Sequence, residues 1–244
     1  MSGLQAWWLD FQNTFYRYFI EDNRWQYLTR GLGNTLLITL FALIIGVVLG
    51  VVVAIIRSSY DKTAQEMRPG FGKAILSIAN FICKIYLTVI RGTPVVVQLL
   101  LGVFVIFMFM GDITVACIVF GVNSGAYVAE IVRSGIMSID NGQFEAGRSL
   151  GFNYVQTMQH IILPQAFKNV LPSLANEFIV LLKETSICGY IGLMDLTRGG
   201  DIIRSRTYEA FLPLIAVALI YLALVMILTH FVKLLERRLR RSER

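Results

Sequence analysis

Residues 36–56 read LLITLFALIIGVVLGVVVAII, with no ionisable side chain in the run. Wound as an α-helix at about 1.5 Å per residue, such a stretch is roughly 31 Å long, which matches a bilayer hydrocarbon core of about 30 Å. Backbone amides in lipid have to be satisfied within their own segment, and the run lacks the strict alternation of a barrel strand, so it predicts a spanning helix. The rest of the chain agrees, with 56% of residues hydrophobic and 16% charged. The expected fold class is an all-α integral membrane protein. A net charge of +6 would suit nucleic acid, but the basic residues flank apolar runs instead of gathering on a soluble domain. Membrane lipid is the expected environment, and no nucleic acid is expected as a partner.

About five crossings are expected. After the first, residues 74–110 form an apolar region interrupted by Lys84 and by RGTP at 91–94, read as one crossing preceded by an interfacial helix. The others fall at about 113–132, 170–182 and 211–231. Loops rich in Lys and Arg stay cytoplasmic. Arg57, Lys62, Arg68 and Lys73 follow the first span, and Lys233, Arg237, Arg238, Arg240, Arg241 and Arg244 follow the last. Both stretches therefore face the cytoplasm, which places the N-terminus outside, 134–168 inside and the loop 183–210 outside. The segments are 1–30, an extracytoplasmic or interfacial stretch whose Trp and Tyr suit a membrane surface; 31–235, the membrane domain; and 236–244, a basic cytoplasmic tail.

Small residues recur at four-residue spacing in two spans, Gly46, Gly50 and Ala54, then Gly121, Gly125 and Ala129. Each row lies on one helical face and lets a neighbouring backbone approach closely. Cys83, Cys117 and Cys188 sit in or beside apolar stretches at no metal spacing and are read as small buried hydrophobes. His160 and His230 have no ligand partner at metal spacing. No nucleophile–base pattern is placed for covalent chemistry, so the chain is not read as an enzyme.

The polar stretch QFEAGRSLGFNYVQTMQHIILPQ, 143–165, interrupts this apolar pattern on the cytoplasmic side. It predicts a short helix carrying Glu145 near its first turn, a turn at Gly151, and a second helix rising toward the membrane, with Pro164 stopping or kinking it. A short surface helix with so little side-chain bulk at Ala146 and Gly147 is a docking element.

This stretch resembles the EAA motif of type I ABC importer permeases: Glu-Ala-Ala, three residues, Gly, nine residues, Ile, any residue, Leu, Pro. Every position matches except that Gly147 replaces the second Ala. RGTPVVVQ at 91–98, SGAYVAEIVRSGI at 124–136 and NEFIVLLKETSI at 176–187 narrow the resemblance to the polar amino acid permeases, from about Gly31 to the C-terminus. The resemblance implies a multi-pass protein of a bacterial-type plasma membrane that forms half of a translocation pathway. It further implies a second permease subunit, identical or homologous, cytoplasmic ABC ATPase subunits docked on Glu145, Ala146, Gly147 and Gly151, and an extracytoplasmic amino acid-binding protein that delivers the substrate. No cofactor is expected on this chain. ATP and Mg belong to the ATPase subunits, since RPGFGKA lacks the Gly at Met67 and the Ser or Thr at Ala74 of a phosphate-cradling loop.

Ionisable groups within a span are functional or paired. Glu177 and Glu184 lie seven residues apart, on one face of the fourth span. They are expected either to meet the ammonium or cationic side chain of an amino acid or to pair with Lys183 or Arg133. Thr93-Pro94 carries the signature of a helix start with Thr as N-cap, so a helix beginning near Arg91 would aim its positive end at a carboxylate, unless Arg91 only snorkels to headgroups. Gln98 is the fourth substrate-binding candidate, and Asn123, Ser124, Tyr127 and Glu130 are further polar candidates. The rival readings are a type I importer permease for another small solute and an ATP-independent secondary transporter. The latter would need more spans or an inverted repeat.

Overall fold

The computed structural model describes residues 3–64 and 67–241. Arg244 of the expected tail lies outside them, as do the side chains of Arg240 and Arg241. In chain order the helices are α1 (Gly3–Phe15), α2 (Trp25–Thr63), α3 (Phe71–Gly92), α4 (Val95–Leu101), α5 (Asp112–Met137), α6 (Asn141–Ser149), α7 (Tyr154–Thr157), α8 (Leu163–Glu184), α9 (Leu196–Thr207) and α10 (Phe211–Arg241). No strand occurs among the described residues. Among the described residues, four helices are long and apolar enough to cross a membrane: α2, α3, α5 and α10 as far as Leu239. The fifth long helix, α8, holds the expected fourth span but carries Lys168, Glu177, Lys183 and Glu184. The helix α10 continues through the basic residues that follow the last span as far as Arg241.

The seam of the bundle joins α2 to α5, and the two rows of small residues face each other there. A Cβ added at Gly46 would meet Ser124 and the amide of Gly125, and one at Gly50 would meet Val128 and the amide of Ala129. Gly121 in turn faces Ile45, and Gly125 faces Leu49. Rising numbers meet rising numbers, so α2 and α5 run parallel, and the chain between them must cross back an odd number of times. The helix α8 runs antiparallel to α5, with Val170 against Gly135 and Glu177 beside Ser124. Around the seam, Ile38, Ala42, Leu99, Phe120, Leu181 and Cys188 form a dry core. All three cysteines are buried and free.

The 74–110 region, expected to hold one crossing after an interfacial helix, forms two helical segments. The first, α3, is 22 residues long and, by length and composition, apolar enough to cross. It buries only Asn80, Cys83 and Leu87, the last two against α2 and α5, while Ile75, Ile78, Phe81 and Ile85 stay exposed. After Pro94 the apolar run resumes as Val95–Ile106, antiparallel to α5: Gln98 lies beside Asn123, and Gly102 beside Val119 and Val115.

The expected outer loop 183–210 is helical instead. A 3-10 segment (Thr185–Ile191) leads to α9, which packs on the first turns of α2 and on α10. Close backbone approach makes this contact: a Cβ at Gly31 would strike the carbonyl of Asp195, and one at Gly199 would lie 2.5 Å from that of Tyr27. Asn34 Nδ2 donates to the Met194 carbonyl at 2.7 Å, and the amide of Leu196 donates to Thr35 Oγ1 at 3.1 Å.

Asp195 caps α9 by accepting from the amide of Arg198 at 2.8 Å, and it is fully buried. Burial pushes its carboxyl up to about 6, against the lowering pull of the Arg198 and Thr197 amides. Between the unfolded value near 4 and this raised value the folded chain holds the extra proton. Stability from this group is therefore full at low pH and lost as pH rises through about 6. Wild type is expected to gain about 1 kcal/mol between pH 7 and pH 5 relative to Asp195→Asn, which keeps the cap without titrating. Thermal unfolding of both proteins at the two pH values checks this, and identical shifts would remove Asp195 as the cause.

Candidate functional site

The polar stretch 143–165 forms the predicted helix, turn and rising helix, with three local differences. Asp140 starts α6 by accepting from the amide of Gly142 at 2.6 Å, so Asp140 supplies the negative group at the helix N-terminus. Glu145 is mid-helix and exposed, not in the first turn. Gly151 turns the chain with φ +80°, and the amide of Phe152 donates to the Gly147 carbonyl at 3.0 Å, closing the helix end. Asn153 and Gln156 then cap α7 reciprocally. Pro164 does not stop the rising helix. It sits in the first turn of α8, where no amide donor is needed, directly after a π-helical turn (Met158–Ile162).

The motif departure at Gly147 has a steric cause. A Cβ there would lie 2.6 Å from Thr157 Oγ1, so alanine does not fit beneath α6 while Thr157 is present. Phe144 and Gly147 face inward, and Phe144 packs with Ile136, Ile139, Met158, Ile162 and Ala166. Glu145 and Ala146 face outward. A close-packed core thus fixes α6 to the ends of α5 and α8, and its exposed face carries Glu145 and Ala146 beside Gln143 and Arg148.

The four substrate-binding candidates do not converge on one pocket in the single chain. Glu177 is buried, accepts a hydrogen bond from Ser124 Oγ at 3.0 Å, and lines a cleft of about 460 Å³ between α5, α8 and α10 with Asn176 and Lys233. Glu184 is half-buried at the end of α8. Neither carboxylate forms a salt bridge among the described residues, and Arg133 is committed to Glu130 at 3.2 Å and Asp61 at 3.6 Å.

Arg91 lies on the opposite side of α5, lining a cleft of about 570 Å³ with Arg57, Lys84, Tyr127 and Glu130. Its guanidinium is 4.0 Å from Glu130 Oε1 and stands over the Tyr127 ring at 5.6 Å, so it is held by α5 instead of snorkelling freely. It also ends α3; it does not begin α4. The expected cap differs as well. Pro94 occupies the N-cap position of α4 with no side-chain cap, and Thr93 Oγ1 donates back to the Val89 carbonyl at 2.8 Å. The residue before a proline is pushed to extended geometry, and Thr93 at φ −121°, ψ 145° therefore closes α3.

Gln98 spans this break. Its Nε2 donates to the carbonyl of Ile90 at 2.8 Å and to Thr93 Oγ1 at 2.8 Å, while its Oε1 accepts from Asn123 Nδ2 at 3.0 Å. Both ends of the amide are thereby engaged by protein. Sequence reading missed Arg57, which donates to Glu130 Oε1 at 3.2 Å. The available signal was its spacing: Arg57 follows Gly50 and Ala54 at helical intervals, on the face that meets α5.

Residues 73–241 match the family of binding-protein-dependent transport system inner membrane components. The chain belongs to that family. Among relatives of this transport-system component is the arginine transport system permease protein ArtQ of Bacillus subtilis (strain 168), 39% identical over 221 residues, covering 89% of this chain and 94% of that one. The glutamine transport system permease protein GlnP of Escherichia coli (strain K12) is 39% identical over 168 residues, covering 67% and 77%. A crystal structure of an amino acid ABC transporter with histidines superposes at a TM-score of 0.79, with 39% identity over 91% of this chain and 98% of that one. An inward-facing methionine transporter, MetNI, shares the fold at a TM-score of 0.71 and 20% identity. The inner membrane component is thus a permease, and ATP hydrolysis is not its own chemistry.

Proposed function

We propose that this permease is the membrane-spanning half of an ATP-driven importer for polar amino acids. Two copies, or this chain and a homologous one, enclose the pathway; ATPase subunits that bind ATP and Mg grip α6; and an extracytoplasmic binding protein delivers the amino acid at the outer face, with the N-terminus outside in a bacterial-type plasma membrane. The observation that carries this reading is α6 itself, a short helix with Glu145 and Ala146 outward, seated by Phe144 and Gly147 on the ends of two long helices. The arginine and glutamine systems of the relatives support the amino acid class. Vesicles holding the permease, its ATPase and its binding protein are expected to take up arginine, lysine, histidine or glutamine only with ATP; uptake at full rate without the ATPase would overturn the proposal.

Within this reading Glu177, Glu184 and Arg91 line the route, and Gln98 shapes the break that borders it. Glu177→Gln keeps an acceptor for Ser124 but removes the charge. It is expected to lower uptake of a cationic amino acid at least tenfold with the complex intact by size-exclusion chromatography. Unchanged uptake would make the Ser124 contact its whole role.

A further inference from the structure

The helix α2 is 39 residues long, about 58 Å at 1.5 Å per residue, nearly twice what a hydrocarbon core requires. Its two ends hold different parts of the molecule. At the outer end, Gly31, Asn34 and Thr35 clamp the start of α9. At the cytoplasmic end, in its last turn, Lys62 Nζ donates to Asn141 Oδ1 at 2.9 Å and stands 4.6 Å from the centroid of the Phe144 ring. Both acceptors belong to α6. Lys62 also lines a cleft of about 450 Å³ with Thr63, Glu145, Arg148 and Tyr154.

The chain makes the same journey a second time through α8, but that route is interrupted by a π-helical turn, an interior Pro172 and the 3-10 segment before α9. By contrast, α2 covers the distance as one helix, backed along its glycine row by α5. A stiff element gripping two sites moves both together whenever the bundle shifts between two packed arrangements, and coupling requires such a two-state element.

We infer that α2 is a coupling rod between the docking helix α6 and the outer α9 cap, with Lys62 the positioning residue through which the two motions are joined. This rests on the reading of α6 as the ATPase-docking helix. In the full complex with ATPase and binding protein, Lys62→Met, which keeps the stem and loses the charge, is expected to leave basal ATP hydrolysis unchanged while stimulation by the loaded binding protein falls at least threefold. Lys62→Arg is expected to retain most of the stimulation. The outer-end variant Asn34→Ala with Thr35→Val should show a similar loss, and combining both ends should cost no more than either alone. Stimulation unchanged in Lys62→Met, or losses at the two ends that multiply, would overturn the rod while leaving α6 as the docking site. A wild-type chain that recruits no ATPase would overturn the docking assignment and the rod with it.

Discussion

Replacing Gly151 with valine is expected to reduce ATP-driven uptake at least tenfold while the protein still inserts and accumulates. The cost lies in the backbone. Gly151 holds φ +80°, and a Cβ there would meet no atom within 4 Å, so crowding contributes nothing. An L-residue in the left-handed region costs roughly 1–2 kcal/mol, and a β-branched one more. That is enough to open the hydrogen bonds from Gly151 to the Arg148 carbonyl and from Phe152 to the Gly147 carbonyl that end α6. The membrane helices are untouched, so the lost quantity should be uptake per ATP hydrolysed, measured in reconstituted vesicles. Gly151→Asn, which tolerates the same conformation, should retain most of the transport. Full uptake by the valine variant would mean that the geometry of this turn does not govern docking.

Gly50→Leu is expected to impair assembly of the bundle severely. A Cβ at this position would stand 2.6 Å from Val128 Cβ and 2.9 Å from the amide nitrogen of Ala129, and backbone cannot swing aside as a flexible side chain can. Overpacking by a few methylenes commonly costs 1–3 kcal/mol, and here the insertion wedges apart the longest interface in the molecule, loosening Ile38, Ala42, Phe120 and their neighbours. The yield of monodisperse detergent-solubilised protein should fall severalfold. Gly33→Leu on the same helix, where an added Cβ meets nothing within 4 Å, should leave it unchanged. Equal yields from the two variants would contradict close packing of α2 on α5.

Several of these features are legible in the sequence because they are local. The apolar run, the flanking Lys and Arg, the glycine rows and the Gly151 turn each follow from spacing along a few helical turns. Their meeting partners are less accessible. The glycine rows do not say whether they face the same chain or another, and the structure shows that they face each other. Arg91 and Glu130 lie on different helices, and no periodicity links them; their pairing depends on how α3 crosses α5. The α9 cap is hidden for another reason. Its sequence LTRGGDIIRSRT is mixed and polar, and its helix is stabilised by Asp195 at the cap and by glycines that fit another backbone, not by a broad apolar face. Gln98 reads as a pathway group because it is polar in an apolar segment. Its amide also satisfies the Ile90 and Thr93 carbonyls left open where Pro94 breaks the helix, a need that appears only once the break is seen.

The close approach of Thr157 to Gly147 makes a specified position of the motif and a residue in its unspecified nine-residue stretch one steric unit. Chimeras that graft an alanine-bearing motif from another importer onto this scaffold must transplant residue 157 along with it. A motif search that scores position 147 alone would penalise a chain whose compensation sits ten residues downstream.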